Sequence, residues 1–383
     1  MNPAFADCPT TVFETMSRLA REHGAINLGQ GFPEDPGPRD LREQAARAVL
    51  EGDNQYPPMM GLPALRAAVA AHYGGTQGLV LDPDTEIMVT SGATEALAGA
   101  LLALIAPGDE VVLFEPMYDA YLPLVLRAGG VPRFVTLRPP HFRIEEAALA
   151  AAFSERTRVV LLNNPLNPSA TVARAEDLAR LARSCERFDA LALCDEVWEH
   201  TVFDGAAHLP LMGLPGMRER TVKVGSAGKI FGLTGWKVGF VMAPPALMRA
   251  LARAHQFLTF TTPPNLQAAV AYGLGKDAAS FAAMRDGLAR SRDRLAAGLA
   301  DLGFTVLPSA ATYFLNVDVA PPGHRDDVAF CERLVREHGV AAIPVSAFYA
   351  SGAVRTLVRF CFAKGNATLD AALARMAPLA RAA

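Results

Sequence analysis

The sequence has few cysteines, no long apolar run and no segment with the pattern of a signal peptide. Its five cysteines lack both a Cys-x-x-Cys spacing and the density of a disulfide-stabilised scaffold, so they predict thiols in a reducing cytoplasm. No apolar stretch approaches the length of a membrane span, and the N-terminus lacks a basic start followed by an apolar segment. We therefore expect a cytoplasmic protein with no membrane partner. The cysteines are Cys8, Cys185, Cys194, Cys331 and Cys361.

The sequence also lacks an excess of either charge. It contains 36 Lys and Arg against 39 Asp and Glu, and its formal net charge is -3. Nucleic-acid-binding proteins carry a basic surface, and no cluster of basic residues here would provide one. We expect small charged molecules as partners, and no nucleic acid.

The 383 residues, 51% of them hydrophobic, are enough for a large core divided between two lobes. From residue 87 onward, short apolar runs alternate with stretches of helical periodicity. This pattern is typical of a mostly parallel sheet with helices on both faces and ligands at the carboxyl ends of its strands. The sequence therefore predicts an α/β fold with a seven-stranded sheet. The predicted strands cover residues 87–90, 110–114, 131–135, 159–162, 191–194, 221–224 and 240–242.

The remainder of the chain predicts a long helical region followed by a smaller α+β domain. Residues 245–275 are expected to be helical. The predicted strands of the small domain cover residues 304–307, 313–317, 340–343 and 356–362. We divide the chain into an N-terminal arm that forms part of the small domain, a large ligand-binding domain and a small C-terminal domain. These three parts cover residues 1–38, 39–280 and 281–383.

Lys229 is the strongest candidate for a catalytic group. It follows an apolar run and lies among four nearby glycines, so a strand is predicted to end there in a tight loop with little bulk around the amine. A desolvated lysine has a lowered pKa and is a nucleophile toward an aldehyde cofactor. A phosphate-binding P-loop is excluded, because Ile230 stands where that motif has Ser or Thr after its Gly-Lys pair. The alternative is a solvated loop lysine.

Several other predicted strands are followed by residues suited to a ligand. Residues 91–96 open a helix whose amides could bind a phosphate, or they form an ordinary cap. Tyr118 offers an aromatic ring, and Asn167 belongs to a rigid turn of asparagines and prolines. Asp195 directly follows a buried strand, where a carboxylate is costly unless it meets a cation or caps a helix.

Two residues outside this region are also candidates. Tyr56 lies in a loop between two predicted helices and is either a packed aromatic or a ligand contact. Arg359 lies between Val358 and Phe360 in an apolar strand, without an acidic partner nearby in sequence. It either pairs with a distant acid or binds an anionic ligand.

Together with these residues, four motifs resemble those of pyridoxal-phosphate aminotransferases of fold type I, classes I and II, over nearly the whole chain. They are similar to the branch with methionine, glutamine and kynurenine aminotransferases and actinobacterial-type succinyldiaminopimelate aminotransferases. The motifs are INLGQGFP at residues 26–33, TGWKVG at 234–239, AIPVS at 342–346 and VRFCF at 358–362.

The resemblance implies a role for each candidate residue. Lys229 would form a Schiff base with pyridoxal 5'-phosphate, and Asp195 would keep its pyridine nitrogen protonated so that the ring withdraws electrons. Asn167 would hydrogen-bond the 3-oxygen of the ring, and Tyr118 would stack on it. The phosphate would be bound by Ala93, Thr94, Ser226 and Lys237, and by Tyr56 of a second subunit in a homodimer.

By the same resemblance, Arg359 would bind the substrate α-carboxylate bidentately, and the Gly31 backbone would supply a further donor. Two positions depart from the family pattern. Trp198 stands where a tyrosine usually contacts the 3-oxygen, which changes how the cofactor is bound, and Ala170 replaces a usual glycine.

The implied activity is transfer of an amino group from an amino acid to a 2-keto acid by a ping-pong mechanism. Methionine, glutamine, aromatic or kynurenine-like donors are expected, with succinyldiaminopimelate as an alternative. A carbon–sulfur β-lyase acting on cysteine conjugates would use the same residues. A catalytically silent cofactor-binding regulator is a further alternative, although Lys229, Asp195 and Arg359 are all present. No metal ligand set is predicted.

Overall fold

The computed structural model describes residues 10–350 and 354–381. Cys8 lies outside the described residues, and the other four cysteines are buried and free. In these two ranges no helix combines the length and the apolar character needed to cross a membrane.

The chain forms thirteen strands and thirteen α-helices in the described ranges. The strands are β1 (Ile26–Asn27), β2 (Ile87–Ser91), β3 (Glu110–Glu115), β4 (Val131–Thr136), β5 (Thr157–Asn163), β6 (Leu191–Asp195), β7 (Thr221–Ser226), β8 (Val238–Met242), β9 (Thr305–Val306), β10 (Phe314–Asp318), β11 (Val340–Ala341), β12 (Ile343–Pro344) and β13 (Leu357–Cys361). The helices are α1 (Val12–Glu22), α2 (Arg39–Glu51), α3 (Pro63–Gln77), α4 (Gly92–Leu104), α5 (Tyr121–Arg127), α6 (Glu146–Ala152), α7 (Ala175–Arg187), α8 (Ala227–Ile230), α9 (Pro245–Leu258), α10 (Pro264–Leu274), α11 (Ala278–Asp301), α12 (Asp327–His338) and α13 (Asn366–Met376).

The large sheet has seven strands in the order β2-β8-β7-β6-β5-β3-β4. Strand β8 runs antiparallel to both of its neighbours, and the other pairs are parallel. Both faces of the central strands are apolar: Leu191 and Leu193 of β6 pack on one side, and Ala192 and Cys194 pack on the other. This arrangement confirms the predicted mostly parallel α/β sheet.

The smaller sheet has four antiparallel strands in the order β12-β13-β10-β9, and a separate parallel pair joins β1 to β11. Helix α1 shares the hydrophobic cluster of this region through Met16 and Leu19. The proposed domain boundaries stay a prediction.

Two details differ from the sequence expectations. The single strand predicted at 340–343 is two short strands, because β11 pairs with β1 while β12 pairs with β13. The helix predicted over 245–275 is broken between α9 and α10. Phe260 has a positive φ of 65° in that gap, and prolines follow it and open α10.

A buried ion-pair network lies behind the carboxyl ends of β6 and β7. Lys223 of β7 donates to Glu196 and Glu199, which follow β6, and all three side chains are fully buried. His208 Nε2 lies 2.9 Å from Glu196, and Tyr73 of α3 donates to Glu199. The attraction of Lys223 lowers the pKa of both glutamates against the opposing effect of burial. These ion pairs therefore attach the loop that follows β6 to strand β7.

Replacing Lys223 by methionine should lower the free energy of unfolding by about 3–5 kcal/mol, because two carboxylates would remain buried without their cation. Denaturant unfolding of purified protein measures this loss. Arg39→Met, which breaks an exposed pair with Glu43, is the matched control and should change stability little. If both substitutions lowered the free energy of unfolding equally, the buried ion pairs would not be the larger contribution to stability.

Candidate active site

A cavity of about 240 Å³ opens where the carboxyl ends of β5, β6 and β7 meet the N-terminus of α4. Parallel strands place their carboxyl ends at one edge of a sheet, which is why residues far apart in sequence converge there. The cavity wall contains nine of the residues singled out in the sequence. They are Ala93, Thr94, Tyr118, Asn167, Asp195, Trp198, Ser226, Lys229 and Lys237.

Lys229 lies in the short helix α8, directly after β7. The tight packing of this segment depends on Gly228, since a Cβ there would lie 3.1 Å from the Cα of Thr234. The Lys229 amine donates to the Gly31 carbonyl oxygen at 3.4 Å and lies 4.5 Å from the ring centroid of Trp198. Burial lowers the pKa of this amine to about 8. The structure thus shows the desolvated amine that the flanking glycines predict.

Asp195 is buried at the end of β6. Its Oδ2 accepts a hydrogen bond of 2.5 Å from the hydroxyl of Tyr121, and its Oδ1 accepts a weak one from Val197 N at 3.4 Å. Burial raises the pKa of the Asp195 carboxyl. Within residues 10–350 and 354–381, no Lys, Arg or His side chain lies within 4 Å of this carboxylate. Among these residues the carboxylate therefore has a hydroxyl and a backbone amide as partners, but no cation.

The N-terminus of α4 forms another side of the cavity. Gly92 begins the helix with a positive φ of 74°, and a Cβ on Gly239 of β8 would lie 2.8 Å from the amide nitrogen of Ala93. Glycine at 239 thus allows β8 to approach the helix start. The Lys237 side chain lies beside Gly92, so a cation accompanies the free amides of the first turn. Together they form a surface suited to an anion.

Arg359 lies in β13 with its guanidinium buried. Nη1 donates to Asn167 Oδ1 at 2.7 Å, Nη2 donates to the Gly29 carbonyl oxygen at 3.0 Å, and the buried Nε has no hydrogen-bond partner. The group lies 3.8 Å from the ring centroid of Phe314. Burial lowers the pKa of Arg359 to about 9. Within the described parts of the chain it forms no salt bridge, so the structure does not support pairing with a distant acid.

Arg359 and two other candidate residues lie outside the cavity wall. Gly31 packs so closely on Phe314 that a Cβ would lie 2.5 Å from its ring, and its carbonyl oxygen contacts Lys229. Tyr56 is 84% exposed and packs edge-on against Phe260. Its own chain does not bring Tyr56 into the cavity.

The sequence analysis missed two supporting side chains. The first is Tyr121, whose hydroxyl donates to Asp195. Asn163 holds the same strand end, because its amide donates to the Asp195 carbonyl oxygen at 2.9 Å and its Oδ1 accepts from Asn167 N at 2.8 Å. Both residues lie at or after the carboxyl end of a predicted strand, which indicates a place near the site. Their contacts with Asp195 can be predicted only when the order of the strands in the sheet is known.

Comparison with known proteins gives one consistent match. The family model for aminotransferase class I and II covers residues 23–376. The methionine aminotransferase of Escherichia coli is 44% identical over 97% of this chain and 96% of its own length. The human kynurenine–oxoglutarate transaminase 1 is 36% identical over 92% of both chains.

The solved structure of N-succinyldiaminopimelate aminotransferase from Mycobacterium tuberculosis superposes with a TM-score of 0.97 at 44% identity, covering 99% of this chain and all of that one. Such neighbours confirm the fold type I architecture expected from the sequence motifs. The family match, the sequence identity and the shared fold agree, and the chain belongs to the class I and II aminotransferase family.

Proposed function

We propose that this aminotransferase binds pyridoxal 5'-phosphate in the cavity around Lys229 and uses it to exchange amino groups between a neutral amino acid and a 2-keto acid. The observation that carries the proposal is that two buried charged groups, Asp195 and Arg359, have no oppositely charged partner within 4 Å among the described residues. One matches a protonated pyridine nitrogen and the other matches a substrate carboxylate. The cytoplasm is the compartment that four free cysteines favour.

The residues present fit the cofactor. The α4 N-terminus at Ala93 and Thr94, together with Ser226 and Lys237, suits its phosphate. Tyr118 offers a ring at the cavity wall for stacking. The amine of Lys229 is close enough to neutral to bond an aldehyde at ordinary pH.

When bound, the cofactor supplies an electron sink for the substrate Cα. Asp195, held by Tyr121, would keep the pyridine nitrogen protonated. Asn167 has its Oδ1 committed to Arg359, so its amide nitrogen is the group available to the ring 3-oxygen. Lys229 Nζ would accept the proton that leaves the substrate Cα, since burial places its pKa near working pH.

The surroundings of Arg359 favour an apolar donor. Its guanidinium lies 5.2 Å from the ring of Phe13 and 5.0 Å from that of Phe348, in addition to its contact with Phe314. A substrate whose carboxylate meets Arg359 would therefore have aromatic rings beside its side chain, which suits methionine, aromatic and kynurenine-like donors. Glutamine is a further neutral donor. Succinyldiaminopimelate is a second candidate, supported by the likeness to the Mycobacterium tuberculosis enzyme.

We also propose a homodimer in which Tyr56 binds the cofactor phosphate of the partner subunit. Tyr56 and Phe257 are each 84% exposed, Tyr56 packs edge-on against the exposed Phe260, and Leu50 and Leu258 are exposed as well. A group of exposed apolar side chains of this kind marks an interaction surface. The exposure of Tyr56 supports a role at a neighbouring subunit rather than in its own cavity.

Purified enzyme with the cofactor should convert methionine, glutamine or aromatic amino acids to keto acids with 2-oxoglutarate as acceptor. A donor panel that includes succinyldiaminopimelate and several acceptors, followed by chromatography of the products, measures the preference. A strong preference for succinyldiaminopimelate would select the second candidate. Release of ammonia and pyruvate from cysteine conjugates without an acceptor would instead indicate β-elimination.

The control for this assay is Lys229→Ala, which should remove turnover while the circular dichroism spectrum stays native, because the proton transfers depend on that amine. Retention of a substantial fraction of kcat would show that Lys229 is not the catalytic amine.

Arg359→Lys should lower kcat/KM for the amino donor about 30- to 1000-fold, since lysine keeps the charge but loses two parallel hydrogen bonds of about 2–4 kcal/mol. The melting temperature should move little. Arg355→Lys, an exposed change near β13, is the matched control and should leave kinetics unchanged. A lowered melting temperature with kcat/KM within a few-fold of the original would make Arg359 a structural residue.

The protein should sediment as a homodimer, and Tyr56→Phe should weaken cofactor binding by about 10- to 100-fold, because a hydrogen bond to a charged phosphate is lost. Equilibrium dialysis of the cofactor measures the change. Tyr272→Phe removes another exposed hydroxyl, one that contacts Asp40, and serves as the control. A monomeric enzyme with full cofactor affinity would refute the shared site.

A further inference from the structure

Trp198 occupies an unusual place in the cavity wall. Its side chain is only 3% exposed and packs edge-to-face against Tyr313, with ring centroids 4.7 Å apart, and against Phe314 at 5.5 Å. Two edge-to-face contacts from β10 and the residue before it leave the indole little freedom to rotate. Its orientation is therefore fixed by packing.

The fixed indole faces the amine of Lys229. The Nζ atom lies 4.5 Å from the Trp198 centroid and 5.9 Å from that of Tyr313. Its one hydrogen bond to a described residue is the long contact with the Gly31 carbonyl oxygen. Across the same residues, no carboxylate lies within 4 Å of this amine. Burial lowers the pKa of this amine, Cys361 and Asp195 raise it from a greater distance, and Arg359 and Lys237 lower it. The aromatic face of Trp198 is thus the side-chain contact that stabilises a positive charge on Lys229 at close range.

We propose that the indole face of Trp198 is the resting position of the Lys229 ammonium whenever the lysine is not bonded to the cofactor, and that Trp198 thereby sets the proton affinity of this amine. The inference rests on the proposed role of Lys229. Trp198 acts through Lys229 and is in this sense a positioning residue.

The contact between the Lys229 ammonium and the Trp198 ring would have a role in the proposed reaction. When the Cα–H bond of the substrate breaks, the electron pair would stay with the substrate, for which the cofactor would supply the electron sink, and the proton would form a new N–H bond on Lys229 Nζ. The amine is then a buried cation, which desolvation disfavours. Trp binds a cation more strongly than Tyr or Phe when the charge lies within about 6 Å of the ring centroid. Trp198 would therefore stabilise Lys229 while it carries the proton.

The sequence offers a direct optical test, because the chain has two tryptophans. In a Trp236→Phe background, Trp198 becomes the single indole. The protein is loaded with pyridoxamine 5'-phosphate, which has no aldehyde to bond the lysine. Indole emission recorded from about pH 6 to about pH 10 should then change with a midpoint near the Lys229 pKa of about 8.

The same titration of the Trp236→Phe, Lys229→Met double variant should be flat across that midpoint. A transition that persists without Lys229, or the lack of any transition with it, would overturn the proposal.

A second measurement uses the Lys229 pKa itself, obtained from the pH dependence of its acetylation rate in the same loaded form. Trp198→Leu should lower this pKa by about one pH unit, and Trp198→Phe should lower it less. Trp236→Phe alone is the matched control and should leave the pKa unchanged. If the leucine variant does not fold, the phenylalanine variant, which keeps an aromatic ring in place, carries the test.

An unchanged pKa in a folded Trp198 variant would refute the inference while leaving the catalytic role of Lys229 intact. That role fails by a different result, namely turnover by Lys229→Ala. The two outcomes are therefore distinguishable.

Discussion

The buried ion pairs of Lys223 with Glu196 and Glu199 connect the two strands that carry the site. Lys223 lies on β7, which ends three residues later at Ser226, directly before the short helix of Lys229. The two glutamates flank Val197 and Trp198 after β6. In a low-dielectric interior, separating such charges costs several kcal/mol. Neither strand end can shift without separating Lys223 from its two glutamates. The ion pairs therefore fix the position of Asp195 relative to Lys229.

The charged groups in and beside the active-site cavity, in contrast, lack oppositely charged partners among the described residues. Asp195 has a tyrosine hydroxyl but no cation among the described residues, and Arg359 has an amide and a carbonyl oxygen but no carboxylate. Each is a buried charge that its surroundings only partly satisfy, and each has a pKa displaced toward the neutral form. The complete ion pairs of Lys223 stabilise the fold. The incompletely paired charges of Asp195 and Arg359 would instead gain stabilisation from a ligand of opposite charge.

The two departures from the family pattern, Ala170 and Trp198, have different structural consequences. Ala170 keeps the turn geometry by accepting a left-handed φ of 62°, a conformation that costs a residue with a Cβ about 1–2 kcal/mol. Its backbone is held by Leu166 and by the amides of Ala310 and Ala311, which over-determine the strained turn. Trp198, in contrast, changes the chemistry of its position, because an aromatic face replaces a hydroxyl beside Lys229.

Sequence periodicity alone determined the seven strands of the large sheet, because apolar runs bounded by helical segments have few other stable arrangements. The special residues at the strand ends, including Lys229 and Asp195, were recognisable for the same reason: a charge beside a buried run needs an explanation. The tertiary structure decided which of them meet. The contact between Tyr121 and Asp195, the counterions of Lys223 and the split of 340–343 between two sheets depend on strand order and register. Those are set by packing between segments far apart in the chain, which no local pattern records.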